Sequence, residues 1–244
     1  MPLTKKVKDN IHIVLVKPRH AGNIGSTARA MNNMGFTRLI LIDPVDYNVP
    51  ETYMMGWNSE SIIRDALVFD TLEKGLKNVH LVIGTTRRKG KSRENQFAFE
   101  EVIDQVIDVA QKHKVAFLFG TESKGLLNKE LKQCHKLCFI DTHSSFPSLN
   151  LAQAVLAVCY DLHKKIRTKS PRATIKLVKK DHIDHMYEHI DKVLNILGYG
   201  IKGNRPLHQQ ILKRIRTILS RTLLEKKDVQ MIRGICQQIE KRKK

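Results

Sequence analysis

IHIVLVKPRHAGNIGSTARAMNNMG, residues 11–35, reads as a strand, a loop and a helix in succession. Ile11–Val16 is a β-branched run of strand length, and the apolar spacing from Ile24 to Met34 is helical until Gly35 stops it. A strand passing into a helix through a glycine-bearing loop is the repeating unit of an α/β fold, and the chain repeats it. RLILI (38–42) predicts a second strand, ended by Pro44, and SESIIRDA (59–66) a helix with Ser59 as its cap. HLVIGT (80–85), VAFLFG (115–120) and KLCFID (136–141) complete the predicted strands. FEEVIDQVIDVAQKH (99–113) places Val102, Val106, Val109 and Ala110 on one helical face. The pattern predicts an α/β domain with a mostly parallel sheet and helices on both faces.

SLNLAQAVLAVCYDLHKKI (148–166) predicts a long apolar helix that closes a first domain, residues 1–166. RTKSPRAT (167–174) is polar and basic, contains Pro171 and reads as a linker. Beyond it lie three helical patterns, at about 175–197, 206–223 and 225–241, without a strand signal. Residues 175–244 are therefore expected to form a small all-helical domain.

Of the 244 residues 41% are hydrophobic, enough for a packed core. The longest apolar runs have strand length, so no membrane span is expected, and MPLTKKVKDN lacks the apolar stretch of a signal peptide. Cys134, Cys138, Cys159 and Cys236 show no framework spacing, which points to a reduced, cytoplasmic setting. The net charge of +19 is unevenly spread: from Lys164 onward 22 Lys and Arg face 7 Asp and Glu, whereas the residues before it hold 21 against 17. Nucleic acid is the partner this asymmetry points to, with an anionic membrane surface as the alternative.

In open α/β sheets ligands bind beyond the carboxyl ends of the strands, and three loops there carry unusual residues. KPRHAGNIGSTARAM (17–31) has Gly22, Asn23 and Gly25, with Arg29 one turn on. An anionic or polar ligand at that helix start would meet free N–H groups; a turn glycine with a surface arginine is the plainer reading. GTESKGL (120–126) leaves an apolar strand with Gly120, Glu122 and Gly125, either bent around a ligand or forming a solvated turn. DTHSSFPSLNLAQAV (141–155) opens the long helix with Ser148, a good cap, and Asn150, whose amide needs partners.

Two other patterns carry less. GTTRRKGKS (84–92) has five residues between Gly84 and Gly90 where a P-loop has about four. Its basic residues Arg87, Arg88, Lys89, Lys91 and Arg93, with Arg19 from the first loop, are better read as RNA phosphate contacts. His182, His185 and His189 share a helix face with Asp181 and Asp184, but the strong zinc spacings are missing and no metal is expected.

Taken together, N-x-G-x-x-x-R at Asn23–Arg29, G-x-E-x-x-G-L at Gly120–Leu126 and S-L-N-x-x-x-A at Ser148–Ala154 resemble the SpoU/TrmH branch of the SPOUT RNA methyltransferases, over about residues 11–165. HIVLVKPRHAGNIGSTARAM, FGTESKGLLNKELKQCHK and the tail HMYEHIDKVLNILGYG are most similar to the bacterial tRNA members that act on cytidine or uridine. The resemblance implies 2'-O-methylation of a ribose in tRNA, at position 32 of the anticodon loop, with S-adenosyl-L-methionine as cofactor. A ribosomal RNA substrate, or RNA binding without catalysis, are the alternatives. It also implies a homodimer and a C-terminal trefoil knot in the sheet domain. Thr85, Thr86, Gly120, Ile140, Ser148, Leu149 and Asn150 would then hold the cofactor, and Asn23, Arg29, Glu122, Ser148 and Asn150 match the active-site motifs. By that reading Arg29 stabilises the developing alkoxide, Asn23 and Glu122 fix the loops, and Ser148 and Asn150 shape the methionine end of the pocket. Ser123 and YMMGWN (53–58) depart from the family pattern, and the loop at 86–97 is unusually basic.

Overall fold

The computed structural model describes residues 3–87, 96–168, 177–202 and 205–242. The chain divides into two compact units, Met1–Thr174 and Ile175–Lys244. In the first, α1 (Leu3–Asp9) leads to β1 (Ile11–Val16), α2 (Ala21–Asn33), β2 (Arg38–Ile42), α3 (Pro50–Met55), α4 (Glu60–Arg64), β3 (Leu67–Phe69) and α5 (Leu72–Leu76). There follow β4 (Leu81–Thr85), β5 (Gln96–Ala98), α6 (Phe99–Ala110), β6 (Val115–Phe119), α7 (Asn128–Leu131), β7 (Lys136–Phe139) and α8 (Leu151–Thr168).

The seven strands form one sheet in the order β3-β2-β1-β6-β4-β7-β5, and every neighbouring pair is parallel. All residues of β1 and β6 are buried, as both-sided cover of a parallel sheet requires. Alternate residues serve the two faces. Val14, Val16, Ile40, Ile42, Val82, Ala116 and Leu118 pack with Leu72 and Leu76 of α5 and with Leu126. On the other face Phe99 of α6 meets Phe117 edge-on at 5.8 Å, and α8 packs on α6 and on α2. A fully buried side chain of this size stabilises by about 1.5–3 kcal/mol. Val102, Val106, Val109 and Ala110 are all buried, as their helical spacing predicts.

The sheet reverses its winding between β1 and β6. The carboxyl ends of β1, β4, β6 and β7 consequently open on one crevice, where the functional loops lie.

Several local expectations need correction. Helix α2 starts at Ala21, three residues before the apolar pattern sets in. Ser59 stands at the cap position of α4, yet its side chain makes no cap bond; the hydroxyl donates to the Trp57 carbonyl and accepts from Asn32. Helix α8 starts at Leu151, so the capping residue is Asn150 rather than Ser148: Asn150 Oδ1 accepts from the Ala152 N–H at 2.9 Å. Strands β3 and β5, three residues each, were not anticipated.

The second unit holds α9 (Lys180–Ile196), a two-residue antiparallel pair β8 (Ile201–Lys202) and β9 (Arg205–Pro206), α10 (Leu207–Leu219) and α11 (Lys226–Arg242). That small hairpin corrects the expectation of helices alone. Ile183, Met186, Tyr187, Ile190, Val193 and Leu194 of α9 make its core with Val229 and Cys236 of α11. The Arg216 guanidinium lies 4.7 Å from the centre of the Tyr187 ring.

Candidate active site

Glu122 stands just past the end of β6, where its carboxylate meets the loop leaving β1. It accepts hydrogen bonds from the main-chain N–H of Arg19 at 3.0 Å and of His20 at 3.2 Å, and from Asn23 Nδ2 at 2.9 Å. Asn23 Oδ1 in turn accepts from Asn150 Nδ2 at 3.1 Å. One chain of hydrogen bonds thus ties the loops after β1, β6 and β7 together. It also explains the early start of α2. Ala-Gly-Asn is a poor opening for a helix, but a carboxylate at a helix N-terminus meets N–H donors and the positive end of the dipole. The anion expected there from outside is supplied by the protein itself. Burial alone would raise the Glu122 carboxyl; the bonds from Asn23 and from the N–H groups of Arg19 and His20 outweigh it and hold it below the ordinary carboxylate range.

Asn150 engages both ends of its amide. Its oxygen caps α8, its nitrogen donates to Asn23, and its main-chain N–H donates to Gln153 Oε1 at 3.3 Å, reciprocally as in a capping box.

The loop 120–126 folds back on itself. Gly125 N–H donates to the Thr121 carbonyl at 2.8 Å, and Gly125 has a φ of +66°. A β-carbon on Gly120 would fall 2.0 Å from the Gly125 carbonyl carbon. Only glycine allows that approach.

Against this loop lies a cleft of about 870 Å³, open to solvent, at the carboxyl ends of β4, β6 and β7. Thr85, Thr86, Gly120, Ile140, Ser148 and Leu149 line it, six of the seven residues expected at a cofactor. Asn150 is not among the lining residues. Glu122 and Ser148 border the cleft, and Asn23 is joined to its edge through Glu122. Arg29 is elsewhere: it is exposed on the third turn of α2, outside the lining, and makes no hydrogen bond or ion pair with another described residue. Arg19 is exposed and Arg87 lies at the cleft, whereas Arg88, Lys89, Lys91 and Arg93 fall outside the described residues.

Sequence reasoning missed the apolar walls, Phe119 and Leu126, and the cation Lys124 on the rim. All three sit inside or beside GTESKGL, so their place next to a ligand loop was the available signal. Among the described residues no group of three His, Cys, Asp or Glu side chains comes together for a metal. His189 instead faces Glu240 at 3.4 Å, and His182 and His185 are exposed. No described helix is long and apolar enough to cross a membrane.

Comparison with known proteins gives two family matches. Residues 10–160 match the SpoU rRNA methylase family, and residues 181–244 match the C-terminal domain of the tRNA methyltransferase TrmJ. A tRNA (cytidine/uridine-2'-O-)-methyltransferase TrmJ of Photorhabdus laumondii is 33% identical over 238 residues, which cover 96% of this chain and 98% of that protein. The crystal structure of TrmJ from Z. mobilis superposes with a TM-score of 0.80 at 26% identity, covering 94% of this chain and 98% of that one. A probable methylase family protein from Haemophilus influenzae is 31% identical with a TM-score of 0.63, covering 96% and 97%.

Proposed function

The chain belongs to the SpoU rRNA methylase family, and on that premise we propose that it transfers a methyl group from S-adenosyl-L-methionine to a ribose 2'-hydroxyl of tRNA. The observation that carries this reading is the hydrogen-bonded convergence of Asn23, Glu122 and Asn150 beside an open cleft with both apolar and polar walls. The tRNA substrate is supported by full-length similarity to a protein named as a tRNA (cytidine/uridine-2'-O-)-methyltransferase. A cytidine or uridine at position 32 of the anticodon loop is the target we propose.

The cleft suits the cofactor chemically. Phe119, Leu126, Ile140 and Leu149 offer apolar walls for a purine, while Thr85, Thr86 and the folded main chain at 120–125 offer polar groups for a ribose and an amino-acid end. The bound sulfonium supplies an activated methyl whose leaving group, a thioether, is neutral. The protein's task is alignment and charge. Glu122 and Asn23 hold the loops in register, so that the ribose oxygen can be brought into line. Arg29 serves as an electrostatic partner for the oxygen as negative charge grows on it, not as a base.

Since Arg29 lies outside the cleft of its own chain, the reading includes a homodimer in which one copy's Arg29 serves the other's cleft. Leu156 and Tyr160, 38% and 53% exposed and one turn apart on α8, provide an apolar face for that association. A trefoil knot in the last part of the sheet domain belongs to the same reading. It is supported by the family match over residues 10–160. Domain limits of 1–166 and 175–244, with the basic second unit contacting tRNA phosphates, complete it.

Incubation with methyl-labelled cofactor and separated tRNA and rRNA tests the proposal. Label in tRNA, mapped to an anticodon-loop ribose, is the expected result; label in rRNA alone would replace the substrate, and no cofactor binding by calorimetry would leave only an RNA-binding protein.

A further inference from the structure

Trp57 is the single tryptophan of the chain and is 64% exposed, beside Met54 and Met55 at 68% and 45%. The reaction described above does not use it. Its main chain is nevertheless held closely. A β-carbon on Gly25 would stand 3.0 Å from the Gly56 nitrogen, and one on Gly56 would stand 3.3 Å from the Gly25 oxygen. Asn58 takes a φ of +59°, its carbonyl accepts from Asn32 Nδ2 at 2.7 Å, and its N–H donates to Glu60 Oε1 at 3.2 Å. Asn32 donates further to Ser59 Oγ at 3.2 Å. Residues 56–59 therefore run along α2 from Gly25 to Asn32. Arg29 is one turn past Gly25 and one turn short of Asn32 on that same helix, and it too is exposed. A solvent-facing indole on a closely held main chain and a guanidinium that pairs with no other described residue are carried by adjoining stretches of backbone.

We infer that Trp57 is a stacking platform for a nucleobase of the RNA substrate, working beside Arg29. Nucleic acid is the occupant that answers both groups at once, a base for the ring and a phosphate or ribose oxygen for the cation. In the proposed homodimer Arg29 reaches the partner's cleft, so an RNA held in that cleft passes beside Trp57. The residues before Lys164, which include Trp57, carry a small excess of 21 Lys and Arg over 17 Asp and Glu, a sign that also suits a polyanion. The close hold on the main chain matters physically, because backbone that is already ordered loses little freedom when a base settles on the ring. The inference rests on the RNA methyltransferase reading and adds to it the side chain that holds the base.

Because there is one tryptophan, its emission reports this site alone. The test is titration of the full-length protein with tRNA while that emission is followed, together with Trp57→Ala and Trp57→Phe variants. We expect strong quenching on tRNA binding. Trp57→Ala weakens tRNA affinity roughly five- to a hundredfold, the scale of one base–aromatic stack, with cofactor affinity unchanged, and Trp57→Phe recovers most of the loss. Emission that stays constant at saturating tRNA, or a Trp57→Ala variant that binds tRNA as tightly as the wild type, overturns the inference. A Trp57→Ala variant that sediments as a smaller species, with wild-type emission unresponsive to tRNA, assigns the face to a second copy and overturns it equally. Wild-type protein that methylates tRNA without any change in emission sinks the stacking platform alone; wild-type protein that methylates no RNA sinks the reading beneath it.

Discussion

Glu122 is a carboxylate held by two main-chain N–H groups and one amide, and its depressed pKa makes it a pH-sensitive tie between two loops. A group whose carboxyl pKa falls on folding contributes stability above its unfolded value, 4.5, and loses that contribution as pH drops through the folded value. Melting temperatures of wild type and Glu122→Gln should therefore differ by a constant amount near neutrality and converge below about pH 4.5, near the ordinary carboxylate pKa. Curves that remain parallel in acid would remove Glu122 from this role. Arg29 is the opposite case, a charge without a partner among the described residues of its own chain. Arg29→Ala should leave cofactor affinity nearly intact and lower turnover by at least about a hundredfold, the scale of one missing electrostatic stabiliser. Weaker cofactor binding with near-normal turnover would contradict that assignment.

At the scale of the element, the hydrogen-bonded start of α8 carries two duties that one substitution can separate. Asn150→Asp keeps an oxygen for the Ala152 N–H but removes the donor to Asn23. Its melting temperature is expected to stay close to wild type while turnover falls by about tenfold, since misalignment alone is costly; a stability loss as large as that of Asn150→Ala, about 1 kcal/mol for a missing cap, would show that the cap is the only duty. Gly120→Ala drives main chain against main chain, with no flexible side chain to give way. It should cost about 1–3 kcal/mol or more and abolish cofactor binding by calorimetry, and a variant that binds normally would mean the loop has another way to fold. These elements also mark how much was legible beforehand. Strands β1, β2, β4, β6 and β7 announced themselves because each is a short and mostly apolar run, as cover on both faces of a parallel sheet requires. Strands β3 and β5 did not: Leu67 and Val68 lie at an exposed edge, and Gln96–Ala98 is only three residues long and half-buried. The start of α2 was misplaced because its stability comes from a carboxylate 99 residues away, which no local pattern contains. Of the site, the residue types were readable from the motif loops; the spending of Asn150's amide and the remoteness of Arg29 from its own cleft were not.

Over the whole molecule, the charge excess concentrated from Lys164 onward sets the expected division of labour between the units. If the second unit binds tRNA through phosphates, removing residues 169–244 should weaken tRNA binding and flatten the dependence of log K on log salt, because each phosphate that is no longer neutralised keeps about 0.9 of a counterion on a duplex. An unchanged slope would assign the affinity to the sheet unit. The sheet unit has its own large-scale property. The bonds from Asn23 to Glu122 and from Asn150 to Asn23 span 99 and 127 positions of sequence. During translation the bond between Asn23 and Glu122 waits for residue 122 and that between Asn150 and Asn23 for residue 150, so the proposed site is whole only once a ribosome has made nearly the entire sheet unit, and products terminated earlier are expected neither to modify RNA nor to compete for the methyl donor.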